Sequence, residues 1–292
     1  MNKYLVPCVA LLGLALLTPR ADAVDLFIKA RACPAGGHVS IPVYGTNVSA
    51  NTLWGIDFAA VIDNAALTAY PDANNAFTPE VSSATDVIVT GNTFVGGGTQ
   101  PNLYVGYVKG ATGFDITKAF GLLKVQVAAG TAAKTVINLN VPATYNVKND
   151  GTGNDVSRAG ATAVTSTATA GAPVVAETVT VKADTGGTGN LVPLHQVAVI
   201  KPGDINGDTN VNANDLNVLK SKLSGKTIPT TVWGAWSPVG GDVAPPNGYT
   251  VSDIGGTAGF GYGDSVVNSN DMNVLKAFLG NKPGTPFPVP EA

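Results

Sequence analysis

Six residues between 204 and 215 offer oxygen atoms at a spacing that suits a hard cation. In DINGDTNVNAND the side chains of Asp204, Asn206 and Asp208 alternate, the main-chain carbonyl of Asn210 follows, and Asn212 and Asp215 complete the run. Counted from Asp204 they occupy positions 1, 3, 5, 7, 9 and 12 of a calcium loop, in which six or seven oxygens converge on the ion at about 2.3–2.6 Å. The plainer alternative for such a run is a solvated Asn/Asp turn. Thr209 stands at position 6, where glycine is usual, so a positive φ there should cost on the order of 1 kcal/mol.

The chain then repeats this pattern. VNANDLNVLK at 211–220 returns as VNSNDMNVLK at 267–276 with only Ala213 and Leu216 changed, to Ser269 and Met272. Duplication makes a chance turn a weaker explanation. Strict alignment would put Phe260 and Tyr262 at ligand positions 1 and 3 of the second copy. A different register avoids this: GGDVAP at 240–245 mirrors PGDING at 202–207, so Asp242 becomes position 1 and residues 243–263 an insertion. Closing so long an excursion costs little more than closing a short one. The second site would then combine Asp242, Asp264, the carbonyl of Val266, Asn268 and Asp271. One or two calcium ions are expected.

Each loop needs an element to hold its closing aspartate. Leu216, Leu219 and Leu223 recur at helical spacing directly after the first loop, and Gly225 is placed to end that helix. The loop's anionic end then lies at the helix N-terminus, where the macrodipole favours it.

Upstream, the pattern is different. VDLFIKA, HVSIPVYG, LWGIDFAAVID, LYVGYVKG, AFGLLKVQVAAG, KTVINLNV and ETVTVKA are short runs of β-branched and aromatic residues bounded by Gly, Asn, Asp or Pro. They predict a mainly β N-terminal domain, an antiparallel β-sandwich or barrel, followed by a small α C-terminal domain. Residues 150–173 are poor in bulky side chains and read as a long loop or an extended edge segment.

Composition sets the setting. The chain has 292 residues, 45% hydrophobic and only 13% charged, with Gly 35 and Pro 19, which describes a folded, turn-rich protein. Lys3, the apolar run YLVPCVALLGLALL and Ala21-Asp22-Ala23 have the layout of a signal peptide over residues 1–23. The mature chain is expected to be secreted, extracellular or at the cell surface, with no transmembrane segment. Without Lys3, Arg20 and Asp22 it keeps 15 basic against 19 acidic residues, a net charge of −4 that disfavours nucleic acid. Cys33 alone remains after Cys8 is removed, so no intramolecular disulfide is available, and an exposed thiol could cross-link two chains.

The run GDINGDTNVNANDLNVLKSKLSG and its partner GDSVVNSNDMNVLKAFLG resemble a type I dockerin, a family built from two calcium loop-helix repeats. HVSIPVYGTNVSANTLWGIDFAAVIDNAALTA at 38–69 is similar to the opening of a cohesin, the counterpart family, whose fold is a jelly-roll sandwich. The resemblance implies a cohesin-like domain at 24–183, a linker at 184–201 and a dockerin-like calcium-binding domain at 202–292. It also implies partner contacts at loop positions 10 and 11 and on the helix face: Ala213, Asn214 and Lys220, with Ser269, Asn270 and Lys276 in the second copy. These are not the family's usual Ser-Thr pair, so partner identity does not carry over.

Catalysis has little support. His38 and His195 stand apart from any nucleophile motif, and Glu80 and Glu177 are the only glutamates before Glu291. The expectation is a non-catalytic assembly protein, joined head to tail through its two domains. The alternatives are an adaptor for polysaccharide-degrading enzymes, or a carbohydrate-binding module that uses the dockerin as an address. Trp233 and Trp236 could stack on a sugar ring, although packing the insertion onto the helices is the plainer role.

Overall fold

The computed structural model describes residues 24–46, 52–53, 55–70, 77–79, 87–91, 101–108, 114–115, 121–142, 144–148, 155–159, 161–165, 175–181, 192, 194–228, 238–244, 263–264 and 266–281. The expected signal peptide at 1–23, Glu80, Trp233, Trp236 and residues 245–262 of the expected insertion lie outside them.

Alternation along the strands builds the β part. In Val136–Asn140, Ile137 and Leu139 are buried while Val136 and Asn140 are exposed, and in Gly121–Val127 the residues Leu123, Val125 and Val127 turn inward. Such strands must pair so that every inward face meets another. The Gly55–Ile62 strand contributes Ile56, Phe58, Ala60 and Ile62 to the same core as Ile41 and Val43 of His38–Thr46 and Leu26 and Ile28 of Val24–Ile28. Full burial of each large side chain is worth roughly 1.5–3 kcal/mol.

Among the described residues, strand pairing is antiparallel with two exceptions. Val24–Ile28 lies parallel to Val175–Val181, and Gln196–Ala198 lies parallel to Arg31–Ala32. The expected antiparallel arrangement thus holds for the other pairs, and these two depart from it. The first strand is inserted between His38–Thr46 and a strand from the far end of the domain, and a long connection can deliver a parallel neighbour where a hairpin cannot.

Two further expectations change. The segment 150–173, read as a loop or edge, contains the Ala161–Thr165 strand, which is paired on both sides, with Gly55–Ile62 and with Val175–Val181. It also contains Asp155–Ala159, which pairs with Thr144–Lys148. Small Ala, Val and Thr residues hide a central strand from any reading that looks for bulk. The linker expected at 184–201 is likewise not a linker over 194–200. Gln196–Ala198 pairs with Val136–Asn140, and Val197 and Val199 enter the main core.

The helical unit packs on these same strands. Helix α1 spans Ala213–Leu223, the single turn α2 spans Pro238–Gly241, and α3 spans Ser269–Leu279. α1 and α3 contact one another, and Ile205, Leu219, Val239, Val267 and Leu275 share one buried cluster with Ala30, Ala32, Val192, Ala198 and Ile200. The two halves of the chain therefore have a common apolar seam. Among the described residues no helix is long and apolar enough to cross a membrane.

Both histidines are buried in the β part, His38 stacked on Tyr70 with ring centroids 3.9 Å apart. Cys33 is fully buried, with Sγ 3.6 Å from the carbonyl oxygen of Pro34, which removes the exposed thiol considered above. Native protein should resist maleimide over hours and label fully in denaturant; rapid native labelling would contradict this burial.

His195 adopts φ +62, its N–H donates to the carbonyl of Ile28 at 2.7 Å, and its buried Nε2 has no hydrogen-bond partner. Burial pushes its pKa down to about 4. Between about pH 6.5 and 4 the unfolded chain binds a proton that the folded chain refuses, so stability is full above this window and falls as pH drops through it. Wild type should lose about 2 kcal/mol more than His195→Asn between pH 7 and pH 5 in urea unfolding. Equal losses in the two proteins would refute this assignment.

Candidate functional site: two loop-helix units

The first loop wraps around its own acidic side chains. Asp204 Oδ1 accepts from the N–H of Asp208 at 3.1 Å and Oδ2 from that of Thr209 at 2.9 Å. Asn206 Oδ1 accepts from Asp208 N–H at 2.8 Å, and Asp208 Oδ1 from Asn210 N–H at 2.9 Å. Thr209 takes φ +73, the left-handed turn expected at this position, and for a β-branched residue that is strain on the order of 1 kcal/mol.

Asp215 closes the loop from α1. Its Oδ1 accepts from Ile205 and Asn206 N–H at 2.8 and 3.1 Å, and its Oδ2 accepts from Asn212 N–H at 2.8 Å. Asn212 in turn caps α1 by accepting from Asn214 N–H at 2.7 Å, which completes a capping box. One carboxylate therefore fixes both the start of the loop and the start of the helix. Gly225, at φ +76, ends α1, with Lys226 N–H reaching back to the Ser221 carbonyl as in a Schellman motif.

The second unit reproduces these bonds in the shifted register. Asp271 Oδ1 accepts from Val243 and Ala244 N–H, both at 2.8 Å, and Oδ2 from Asn268 N–H at 2.7 Å. Asp264 N–H donates to Asp242 Oδ1 at 2.9 Å, Val266 N–H to Asp264 Oδ1 at 2.8 Å, and Asn268 caps α3 through Asn270 N–H. Val243 and Ala244 thus occupy the places of Ile205 and Asn206, not the insertion. The excursion begins after Ala244 and is pinched by a bond of 2.6 Å from Gly263 N–H to the Ala244 carbonyl. The two loop entrances also touch. Gly203 N–H donates to the Gly240 carbonyl at 2.7 Å, and a Cβ on Gly240 would lie 2.6 Å from the Asp204 carbonyl oxygen.

The electrostatics of the two loops differ. Asp204 and Asp215 are buried, and both have pKa values raised first by that burial; Asp215 and Asp208 charges add to the rise at Asp204, and Asp208 adds to it at Asp215. In the second loop Asp271 is raised to about 6, again mainly by burial. There, however, basic side chains from the β part arrive. Lys29 Nζ donates to the Asp264 carbonyl at 3.3 Å, and Arg31 Nη1 to the Gly263 carbonyl at 3.3 Å. The pKa of Lys29 is lowered by burial, with Arg31 adding to the effect and Asp242 and Asp264 opposing it.

Chemically, the first loop offers hard oxygens of the kind calcium selects. Among the described residues no set of three or more His, Cys, Asp or Glu side chains is gathered closely enough to hold a metal by itself, so Asn206, Asn212 and the Asn210 carbonyl are needed to complete any shell. The second loop fits less well, because Ala244 stands where the first has Asn206. The six residues expected at the partner face, Ala213, Asn214, Lys220, Ser269, Asn270 and Lys276, are all exposed. What sequence reasoning missed is the pair Lys29 and Arg31, since nothing local to IKARA signals a contact with residues more than 230 positions away.

No family model matches the chain, and no curated protein matches it significantly. The solved structures similar to it are cohesin domains. The sixth cohesin of Acetivibrio cellulolyticus scaffoldin B, in complex with a mutant Cel5 dockerin, aligns at 13% identity and TM-score 0.37 over 61% of this chain and 99% of that one. The third ScaB cohesin of R. flavefaciens, in complex with a group 1 dockerin, aligns at 12% and 0.34 over 61% and 96%. A type III cohesin module from the ScaE cell-surface anchoring scaffoldin of Ruminococcus flavefaciens aligns at 11% and 0.31 over 54% and 81%. Likeness of this degree carries no argument about function.

Removing the Asp215 carboxylate would leave three N–H groups without their acceptor. Asp215→Ala should cost about 3 kcal/mol in urea unfolding with chelator present, whereas Asn214→Ala, on the exposed surface, should stay within about 0.5 kcal/mol. Similar small losses for both would show that the carboxylate does not organise the loop.

Proposed function

We propose that this protein is an exported, non-catalytic assembly protein. Its C-terminal unit is a dockerin-like docking module folded around calcium, and its β part is a cohesin-like receptor. The observation that carries this reading is the duplicated bonding pattern, in which Asp204, Asp208, Asn212 and Asp215 find counterparts in Asp242, Asp264, Asn268 and Asp271. Two units with the same closing aspartate and the same cap are a repeat in space as well as in sequence.

Calcium would be held by Asp204, Asn206, Asp208, Asn212 and Asp215 with the Asn210 carbonyl. Its charge would offset the repulsion that Asp215 and Asp208 exert on Asp204 and that Asp208 exerts on Asp215. The residues that would dock, Ala213, Asn214 and Lys220 with Ser269, Asn270 and Lys276, are exposed, while Leu219 and Leu275 of the same helices are buried against the β part. Docking to a second copy therefore leaves the internal seam intact. A receptor and a plug held rigidly in one chain join head to tail, giving filaments when the rotation does not close.

Size exclusion with light scattering on the chain from Val24 onward tests this in millimolar calcium and in chelator. Concentration-dependent oligomers that collapse on chelation, and that Asp204→Ala fails to form, are expected. A monomer under both conditions would refute self-assembly and move the search to a separate partner or a polysaccharide.

A further inference from the structure

The second loop is built like the first yet differs from it in three respects that point the same way. Ala244 removes the side-chain oxygen at position 3. Gly263, at φ +78, lies between Arg31 and Asp242, where an added Cβ would collide with the guanidinium and come within 2.9 Å of Asp242 Oδ2. Lys29 donates to the Asp264 carbonyl while its charge interacts favourably with those of Asp242 and Asp264. In the first loop the charges acting on Asp204 are those of Asp215 and Asp208, both of the same sign.

We propose that Lys29, supported by Arg31, is the resident cation of the second loop, so that this loop locks the helical unit onto the β part and takes no calcium. In water an ammonium would compete poorly with a divalent ion for a full oxygen cage. This cage lacks one ligand, and its cation is tethered: Lys29 follows directly on the Val24–Ile28 strand, its N–H is bonded to the Pro42 carbonyl at 3.0 Å, and its Nζ lies 5.1 Å from the centre of the Tyr44 ring. The ammonium is therefore held by the β part, and its effective concentration at the loop is that of an intramolecular group. Arg31 is 1% exposed and reaches the neighbouring carbonyl of Gly263, so the neck of the excursion is gripped from the same side. The two loops thereby divide the work, the first answering to calcium and the second to the chain itself. As regards the first loop, this division rests on the calcium reading above.

Two measurements on the chain from Val24 onward decide the matter. A double-mutant cycle of Lys29→Met and Asp242→Asn, read by urea unfolding in chelator, is independent of calcium. It should show a coupling of at least fivefold in the folding equilibrium constant, and Lys29→Gln replaces Lys29→Met if that variant does not fold. Additive effects would overturn the lock. Calorimetric titration of wild type should find one calcium ion per chain; two ions would overturn the proposal. If titration finds none, the calcium reading of the first loop fails, and the cycle in chelator still decides the role of Lys29.

Discussion

The helical unit depends on one kind of interaction made twice: a fully buried aspartate in the first turn of a helix that accepts three backbone N–H groups. Asp215 and Asp271 each gather two N–H groups from the beginning of a loop and one from the cap residue of a helix. A loop that would otherwise need its own core is thereby tied to a helix that has one. An anion is costly to bury, and the raised pKa of both residues records that cost, but the N–H groups and the helix N-terminus repay much of it. Loop and helix therefore share one set of bonds, and each stabilises the other.

This mutual dependence extends to the β part. Ala32 and Ala198 lie on the paired strands Arg31–Ala32 and Gln196–Ala198, and with Ala30 they share a buried cluster with Ile205, Leu219 and Leu275, while Val197 beside them enters the main core. Small side chains on the strand allow the helices to come close. The seam is apolar at its centre and polar at one end, where Lys29 and Arg31 meet the second loop, so it combines burial with a directional contact that fixes orientation.

Much of this was legible in the sequence. The seven strongest alternating runs are all strands, and the repeated VNxNDxNVLK segment falls on α1 and α3 with their caps. The shifted register through Asp242 was also readable, because GGDVAP mirrors PGDING in its Gly-Asp pair, and the hydrogen bonds of Asp242 and Asp271 follow that register. What stayed hidden has physical causes. Ala161–Thr165 carries no bulky side chain although it lies mid-sheet, and Gln196–Ala198 is too short to show a period. Lys29 and Arg31 look like the ordinary outward residues of a strand end, and only tertiary structure reveals what they meet.

The neck at Ala244 and Gly263 has a consequence for how the second loop is held. One hydrogen bond and one positive-φ glycine return the backbone to the place where an uninterrupted loop would continue, so Asp242 and Asp264 keep their relation whatever lies between them. The closing aspartate and the helix behind it are therefore positioned by the neck itself, through bonds that involve only residues on either side of the excursion.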